Sequence, residues 1–380
     1  MQQAAGFRRL GRSLARLAHT HFPPFLFGLE LEPREIPVFA YHDVDADVLR
    51  CDLDFLERNG YRTLSIEEYY SAARETGKPS GRRVLLTFDD ARRNFWEVAV
   101  PILEERGARA TVFVPTFWIR GARFSCRPEP PESDAFMTWE QVARCEESYL
   151  IDVESHSHRH ALVYTSASLV GFASPAALAR HDLFDWPLRR RCGRDEAGFP
   201  PLGTPIYEAA PLLSAHTRML EPEAAADACR LAVEAGGREA FFASRDWAAR
   251  LKKVHDAAVT RTGGATSVAR SELGRQVEAE IQEAVAAFER ELGRKPRFFA
   301  YPWMLGSPES LAALADVGVC AAFGVGLDFR RARSGRAPLP VFARYKCDWI
   351  RFLPGLGRRR LQDVLPEKVA AFFRSQHLAH

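Results

Sequence analysis

Short apolar runs alternate with segments of helical periodicity along most of this 380-residue chain. Continuous apolar runs at 36–41, 84–88 and 110–115 are typical of strands that are buried on both faces of a parallel sheet. Amphipathic segments lie between these runs. A glycine follows several of these segments, which is typical of the end of a helix. The alternation returns over 298–323. This order predicts a parallel α/β fold, in which ligands collect where the strands end.

The alternation is interrupted between residues 165 and 264, where prolines, glycines and a run of arginines occur. Loops of this composition are expected over the mouth of a barrel, where they influence substrate choice. A long helical pattern then restores the alternation. The predicted helices are 48–59, 94–106, 138–145, 222–235, 247–255, 267–292 and 308–316.

Two polar motifs directly follow strand-like runs. The sequence TFDD occupies 87–90, and HSHRH occupies 156–160. One carboxylate and two imidazoles are a common ligand set for a divalent metal in an open hydrolytic site, and a second carboxylate can act as the base. If the chain turns helical after the strand, His156 and His160 share one face and His158 points away. Acidic pairs are also common in turns, so the histidine cluster is the stronger signal.

Composition limits the classes of function. Lys and Arg number 52 and Asp and Glu number 49, and the resulting charge of +3 is too small to indicate a nucleic-acid partner. Seven scattered cysteines without a C-x-x-C spacing indicate reduced thiols and a cytoplasmic location. No apolar run reaches the length of about 18 residues that suggests a membrane-spanning helix.

The N-terminal segment has two interpretations. Phe7, Leu10, Leu14 and Leu17 lie on one face of a predicted helix, and arginines occupy most of the rest. Such a helix can lie on an anionic membrane, here the inner surface, or it can pack against the domain with its arginines in solvent. We favour packing against the domain, because the apolar face is small. The segment lacks the features of a secretory signal.

The motifs resemble those of the polysaccharide deacetylases with a NodB homology domain, carbohydrate esterase family four, over about 35–163 and 265–350. The resemblance implies that Asp89 is the catalytic base and that one divalent ion is bound by Asp90, His156 and His160. Zinc is the default ion, and cobalt, nickel and manganese are alternatives.

Two further segments also resemble this family. The sequence FAYPW at 299–303 is similar to its third motif, which walls the substrate groove and offers a backbone amide to the oxyanion. The resemblance therefore implies that Tyr301 and Trp303 belong to the catalytic site. The sequence YHDV at 41–44 resembles the first strand of the branch that acts on bacterial surface glycans.

Three positions depart from the family pattern. Ala91 stands where the first motif usually has glycine, and Ala300 stands where many relatives carry an arginine that orients the base. Arg344 and Lys346 are candidate substitutes for that arginine. No Leu-His pair near the C-terminus offers the expected general acid. The candidates for this role are His42, His216 and His255.

We therefore predict a deformed (β/α) barrel of the polysaccharide-deacetylase type with a large insert. Its expected activity is metal-dependent removal of an N-acetyl or similar acyl group from an acetamido sugar of a glycan or glycan precursor. A non-catalytic glycan-binding module of the same fold and an amidase for a non-sugar amide are the alternatives. The predicted divisions are an N-terminal helical extension (1–34), the barrel (35–164 and 265–350), an insert over the active-site mouth (165–264) and a C-terminal helix (351–380).

Overall fold

The computed structural model describes residues 23–31, 34–75, 81–122, 131–324 and 339–360. The strands are, in chain order, β1 (Val38–Tyr41), β2 (Tyr61–Thr63), β3 (Arg82–Phe88), β4 (Ala110–Val114), β5 (Ile151–Ser155), β6 (Leu162–Phe172), β7 (Arg189–Arg191), β8 (Arg194–Glu196), β9 (Pro205–Pro211), β10 (Met219–Leu220), β11 (Thr266–Ser267), β12 (Phe298–Ala300), β13 (Ala321–Phe323), β14 (Val341–Phe342) and β15 (Tyr345–Lys346). The α-helices are α1 (Ala46–Arg58), α2 (Ile66–Arg74), α3 (Val100–Arg106), α4 (Trp139–Glu147), α5 (Pro175–Arg180), α6 (Glu223–Ala235), α7 (Trp247–Thr262), α8 (Arg270–Leu292) and α9 (Pro308–Asp316).

The main sheet is parallel throughout and closes on itself. Its nine strands follow the order β14-β13-β12-β5-β4-β3-β1-β15, with β2 beside the start of β3. The single stretch 341–346 pairs with β13 at its start and with β1 at its end. Because one continuous stretch reaches both edges, the sheet must curl into a barrel with an irregular seam at 343–344. The predicted fold class, a deformed (β/α) barrel, is confirmed.

Aromatic side chains fill the barrel interior. Phe113, Phe298 and Phe323 come from three strands and are fully buried in one cluster with Val38 and Leu85. A larger cluster lies between the outside of the sheet and helices α1, α3 and α4. The apolar runs of the sequence are continuous because the strands are covered on both faces.

Strands β6 to β11 form a separate structural layer. None of them joins the nine-stranded sheet, and each pairs in a small antiparallel sheet, of which β6 with β9 is the longest. Helices α6 and α7 pack on each other and on the β6–β9 sheet. The helices predicted in this region are present, with α7 extending to Thr262, whereas its strands were not predicted. The predicted boundaries at 164 and 265 remain a prediction.

The predicted terminal helices fall largely outside the described residues, which exclude 1–22 and 361–380. Pro24–Phe27 is a short 3₁₀ helix. The predicted C-terminal helix is wrong over 353–360, where no helix forms, because Pro354, Gly355 and Gly357 interrupt the backbone pattern that a helix requires. Among the described residues, no helix combines the length and apolar character needed to cross a membrane.

Candidate metal centre and active site

The first motif occupies a sharp bend at the end of β3. The Asp89 N–H donates to Tyr41 O of the neighbouring strand at 2.8 Å, which fixes the start of the bend. Asp90 and Ala91 then adopt positive φ values of 70° and 46°. A left-handed backbone is least costly for glycine, so Ala91, which is fully buried, occupies a strained position.

The second motif forms a tight loop after β5, and the expectation of a helical turn there is wrong. Ser157 and His160 have φ values of 70° and 54°, and the His160 N–H donates to Ser157 Oγ at 3.1 Å. This loop, and not an i to i+4 helical spacing, brings His156 and His160 together. His158 points away, as predicted, and contacts Thr116 Oγ1 at 2.8 Å and Glu283 Oε2 at 2.9 Å.

The two loops bring three candidate ligands to one point. Asp90 Oδ1 lies 3.5 Å from His156 Nε2 and 3.6 Å from His160 Nε2. All three side chains are buried, and one ligand atom from each lies within 4.8 Å of the others. Among the described residues, neither Asp90 Oδ1 nor His156 Nε2 has a hydrogen-bond partner. Buried polar atoms that converge without partners fit a divalent ion.

The protonation state of the two histidines also suits metal binding. His156 Nδ1 is 2.8 Å from Ala300 O, so the ring N–H donates there and the Nε2 lone pair faces Asp90. Burial lowers the pKa of His156, although Asp89 and Asp90 oppose this shift. Burial also lowers the pKa of His160 well below its usual value, and His156 adds to the effect. Neutral imidazole is the form that binds a metal.

Asp89 is held by Arg344, which comes from the seam between β14 and β15. The guanidinium donates to Asp89 Oδ1 at 2.6 Å and to Oδ2 at 2.8 Å, and both side chains are buried. Burial raises the pKa of Asp89, but Arg344, His156 and His42 lower it more, to about 2. Lys346, the other predicted substitute, is exposed, and no described contact joins it to Asp89.

The third motif divides between core and site. Trp303 lies at the metal centre, with its ring centroid 4.1 Å from that of His160. The prediction that Tyr301 belongs to the site needs correction. Its ring is fully buried and packs on Phe299. Its hydroxyl accepts a hydrogen bond from Ser310 Oγ at 3.1 Å, and its backbone N–H donates to Phe323 O. Side chains alternate along an extended segment, so Ala300 faces the barrel interior and Tyr301 faces the outer core.

Only one of the three candidate acid histidines lies near Asp89 in the described contacts. His42 Nε2 is 3.8 Å from Asp89 Oδ2, and its side chain is 57% exposed. His255 contacts Tyr207 OH at 2.8 Å and Asp256 Oδ1 at 3.1 Å, within the layer formed by α7 and β9. His216 lies near Glu309, whose pKa is lowered mainly by a hydrogen bond from its own backbone and by Arg270, with a smaller effect of His216.

Two site neighbours were not predicted. Phe184 stacks on His160, with a centroid distance of 4.0 Å and an interplanar angle of 26°. Arg92 Nε lies 3.8 Å from Asp90 Oδ2. The position of Arg92 two residues after Asp90 was a usable signal. Phe184 belongs to an ordinary apolar pair in the interrupted region, and its sequence gave no comparable signal.

Comparison with known proteins agrees with these motifs. Residues 76–173 match the sequence model of the polysaccharide deacetylases. Over this segment, the chain is similar to the polysaccharide deacetylases. The match covers the first two motifs of the site, whereas His42, Trp303 and Arg344 lie outside it.

Individual relatives of this family match shorter parts of the chain. YxkH of Bacillus subtilis (strain 168), named as a polysaccharide deacetylase, is 32% identical over 91 residues, which are 22% of this chain and 33% of that protein. The poly-beta-1,6-N-acetyl-D-glucosamine N-deacetylase of Escherichia coli (strain K12) is 30% identical over 123 residues, which are 31% of this chain and 18% of that protein. The chain thus spans a third or less of the length of these curated relatives.

A solved de-N-acetylase from Aggregatibacter actinomycetemcomitans aligns with 82% of this chain and 95% of its own, with 16% identity and a TM-score of 0.48.

Proposed function

We propose that this protein is a metal-dependent hydrolase that removes the N-acetyl group from an acetamido sugar. The observation that carries the proposal is the buried Asp89 carboxylate, fixed by two hydrogen bonds from Arg344 beside three converging ligand atoms. A site that only bound a glycan would have no use for an ionised base next to a metal centre.

Asp90, His156 and His160 would hold the ion, and zinc is the proposed identity. A divalent ion bound there would supply Lewis-acid chemistry, which lowers the pKa of water and polarises the acetyl carbonyl. Asp89 would accept the proton of the attacking water. Its pKa of about 2 keeps it ionised at neutral pH, and Arg344 keeps its two oxygens in a fixed orientation.

The leaving amine must gain a proton, and we propose His42 as the donor. Its Nε2 lies 3.8 Å from Asp89, and its exposure allows it to reach a substrate on the open side of the site. His42 follows β1 directly, so the main sheet supplies both the proposed base and the proposed acid. The backbone N–H of Trp303 is the proposed donor to the oxyanion. The backbone N–H of Tyr301 is not available for this role, since it already donates to Phe323 O.

We propose an acetamido sugar within a bacterial glycan or a glycan precursor as the substrate. The names of the similar proteins, which include a poly-beta-1,6-N-acetyl-D-glucosamine N-deacetylase, support this class. The arginine run 189–191 offers little support for a phosphate-bearing sugar as the substrate, because Arg189 donates to Gly198 O and Arg190 pairs with Asp195. A reducing, cytoplasmic compartment is proposed from the six described cysteines, all of which are free thiols.

The test is acetate release from β-1,6- and β-1,4-linked N-acetylglucosamine oligosaccharides and from nucleotide-linked acetamido sugars. The zinc-loaded protein should release acetate from at least one of these, and a chelator should abolish the reaction. Release from simple non-sugar acetamides at equal rates would favour the alternative of a general amidase. A metal-loaded protein that binds the oligosaccharides and releases no acetate would favour the binding module.

A further inference from the structure

The two histidines of the metal centre are held by different kinds of contact. A histidine that binds a metal normally donates its second ring N–H to a carbonyl or carboxylate, which fixes the plane of the ring. His156 follows this rule through Ala300 O. The buried Nδ1 of His160 has no acceptor among the described residues. The orientation of His160 must therefore depend on packing.

Two aromatic rings provide that packing. Phe184 lies 4.0 Å from the His160 ring in a stacked arrangement, and Trp303 lies 4.1 Å away with its plane tilted by 55°. Phe184 is itself immobilised, because it is buried and packs on Phe136 at 5.6 Å and on Trp118 at 5.9 Å. The imidazole thus lies between a ring from the third motif and a ring from a segment outside the main sheet.

The segment that carries Phe184 is also tied to the carboxylate ligand. Asp182 begins a single 3₁₀ turn and accepts a hydrogen bond from the Phe184 N–H at 3.2 Å. Asp182 also accepts one from Arg92 Nη2 at 2.6 Å. The Arg92 guanidinium lies between the rings of Phe136 and Phe184, 4.8 and 4.9 Å from their centroids, and its Nε is 3.8 Å from Asp90. The turn therefore contacts His160 directly through Phe184, and it reaches Asp90 through Arg92.

We propose that Phe184 is a positioning residue that orients His160 for metal binding, so that the turn at 182–185 completes the metal centre. The inference deepens the proposed function, because it rests on the same three ligands. According to this proposal, a segment outside the main sheet contributes to the affinity of the site for the ion. It also means that changes in this region alter metal binding without touching a ligand.

The experiment measures the affinity of the full chain for Zn²⁺ by competition with a chromogenic chelator. Phe184→Ala should weaken Zn²⁺ binding by about 10- to 100-fold, the usual effect of losing a contact that orients a ligand. The matched control is Phe241→Ala, which removes a buried ring from the separate cluster beside α6 and α7. The control should lower stability and leave Zn²⁺ affinity within about twofold of the parent, because it touches no ligand.

A second readout separates orientation from stability. The visible absorption of bound Co²⁺ reports the geometry of its ligands, so it should change in Phe184→Ala and remain that of the parent in Phe241→Ala. If Phe184→Ala does not fold, Phe184→Leu replaces it in the experiment. Leucine keeps most of the apolar volume but has no planar ring, so Phe184→Leu should also weaken Zn²⁺ binding. Unchanged Zn²⁺ affinity and an unchanged Co²⁺ spectrum in the Phe184 variant would overturn the proposal.

The outcome is independent of deacetylation. If the Phe184 variant alone loses affinity and the parent releases no acetate from any sugar, the positioning role stands and the proposed function fails. A parent that binds neither ion would overturn the metal centre and this inference with it.

Discussion

Replacement of Arg344 by methionine should be among the most damaging single changes to this protein. Arg344 and Asp89 have almost no solvent exposure, and two hydrogen bonds of 2.6 and 2.8 Å join them. Methionine keeps a long apolar side chain but leaves the Asp89 carboxylate buried without its cationic partner. Removal of one partner of a buried ion pair typically costs about 3–5 kcal/mol, which is a large part of the stability of an ordinary domain.

The measurement is the free energy of unfolding in urea for the metal-free parent, Arg344→Met, Asp89→Asn and the double variant. Arg344→Met should lose about 3–5 kcal/mol, and the double variant should be more stable than the sum of the two losses, because the neutral amide introduced by Asp89→Asn no longer needs a cation. Arg344→Lys should fold better than Arg344→Met and still lose activity, since a single ammonium cannot reproduce the bidentate geometry.

The reasoning would be refuted by an Arg344→Met protein that unfolds at the urea concentration of the parent. Additive losses in the double variant would also contradict it, because they would mean that the two side chains do not interact in solution. Full activity in Arg344→Lys would show that the orientation of Asp89 is set by other groups.

Three further predictions concern the site and the barrel. His160→Ala should bind Zn²⁺ at least about tenfold more weakly in a chelator competition, and parent-like affinity would remove His160 from the ligand set. His42→Ala should retain full zinc content and lose about 10²- to 10⁴-fold in kcat, the range for general acid catalysis, and an unchanged kcat would exclude His42 as the donor. Burial raises the pKa of Asp152 to about 6, although its bond from the Ile66 N–H opposes this shift. Because the folded pKa exceeds the unfolded value of about 3.9, the contribution of Asp152 is complete below about pH 4 and is lost as the pH rises through about 6. Thermal unfolding of Asp152→Asn should therefore depend less on pH between about 4 and 6 than that of the parent, and identical profiles would contradict the assignment.

The sequence was informative where local patterns carry the structure. Strand ends and the polar residues after them placed Asp89, Asp90, His156 and His160 at one edge of the barrel, because parallel strands bring their carboxyl ends together. A capping box formed by Ser65 and Glu68 likewise marks the start of α2 in the sequence.

Long-range contacts were harder to predict. Arg344 was one of two candidates, and only the seam of the barrel decides that it reaches Asp89 while Lys346 stays exposed. Phe184 reaches His160 through the packing of a region with its own sheets, which no local period encodes. The motif at 299–303 predicts that Tyr301 belongs to the site, but the alternation of side chains along an extended segment turns this ring into the core.

The most direct test of the central claim compares Asp89→Asn with the parent, with zinc content and acetate release measured on the same preparations. The account predicts one zinc per chain in both proteins. It also predicts a loss of at least about a hundredfold in the rate of acetate release for the variant, the usual scale for loss of a general base. A variant with normal zinc content and the parent's rate would contradict the assignment of Asp89 as the base of a metal-dependent deacetylase.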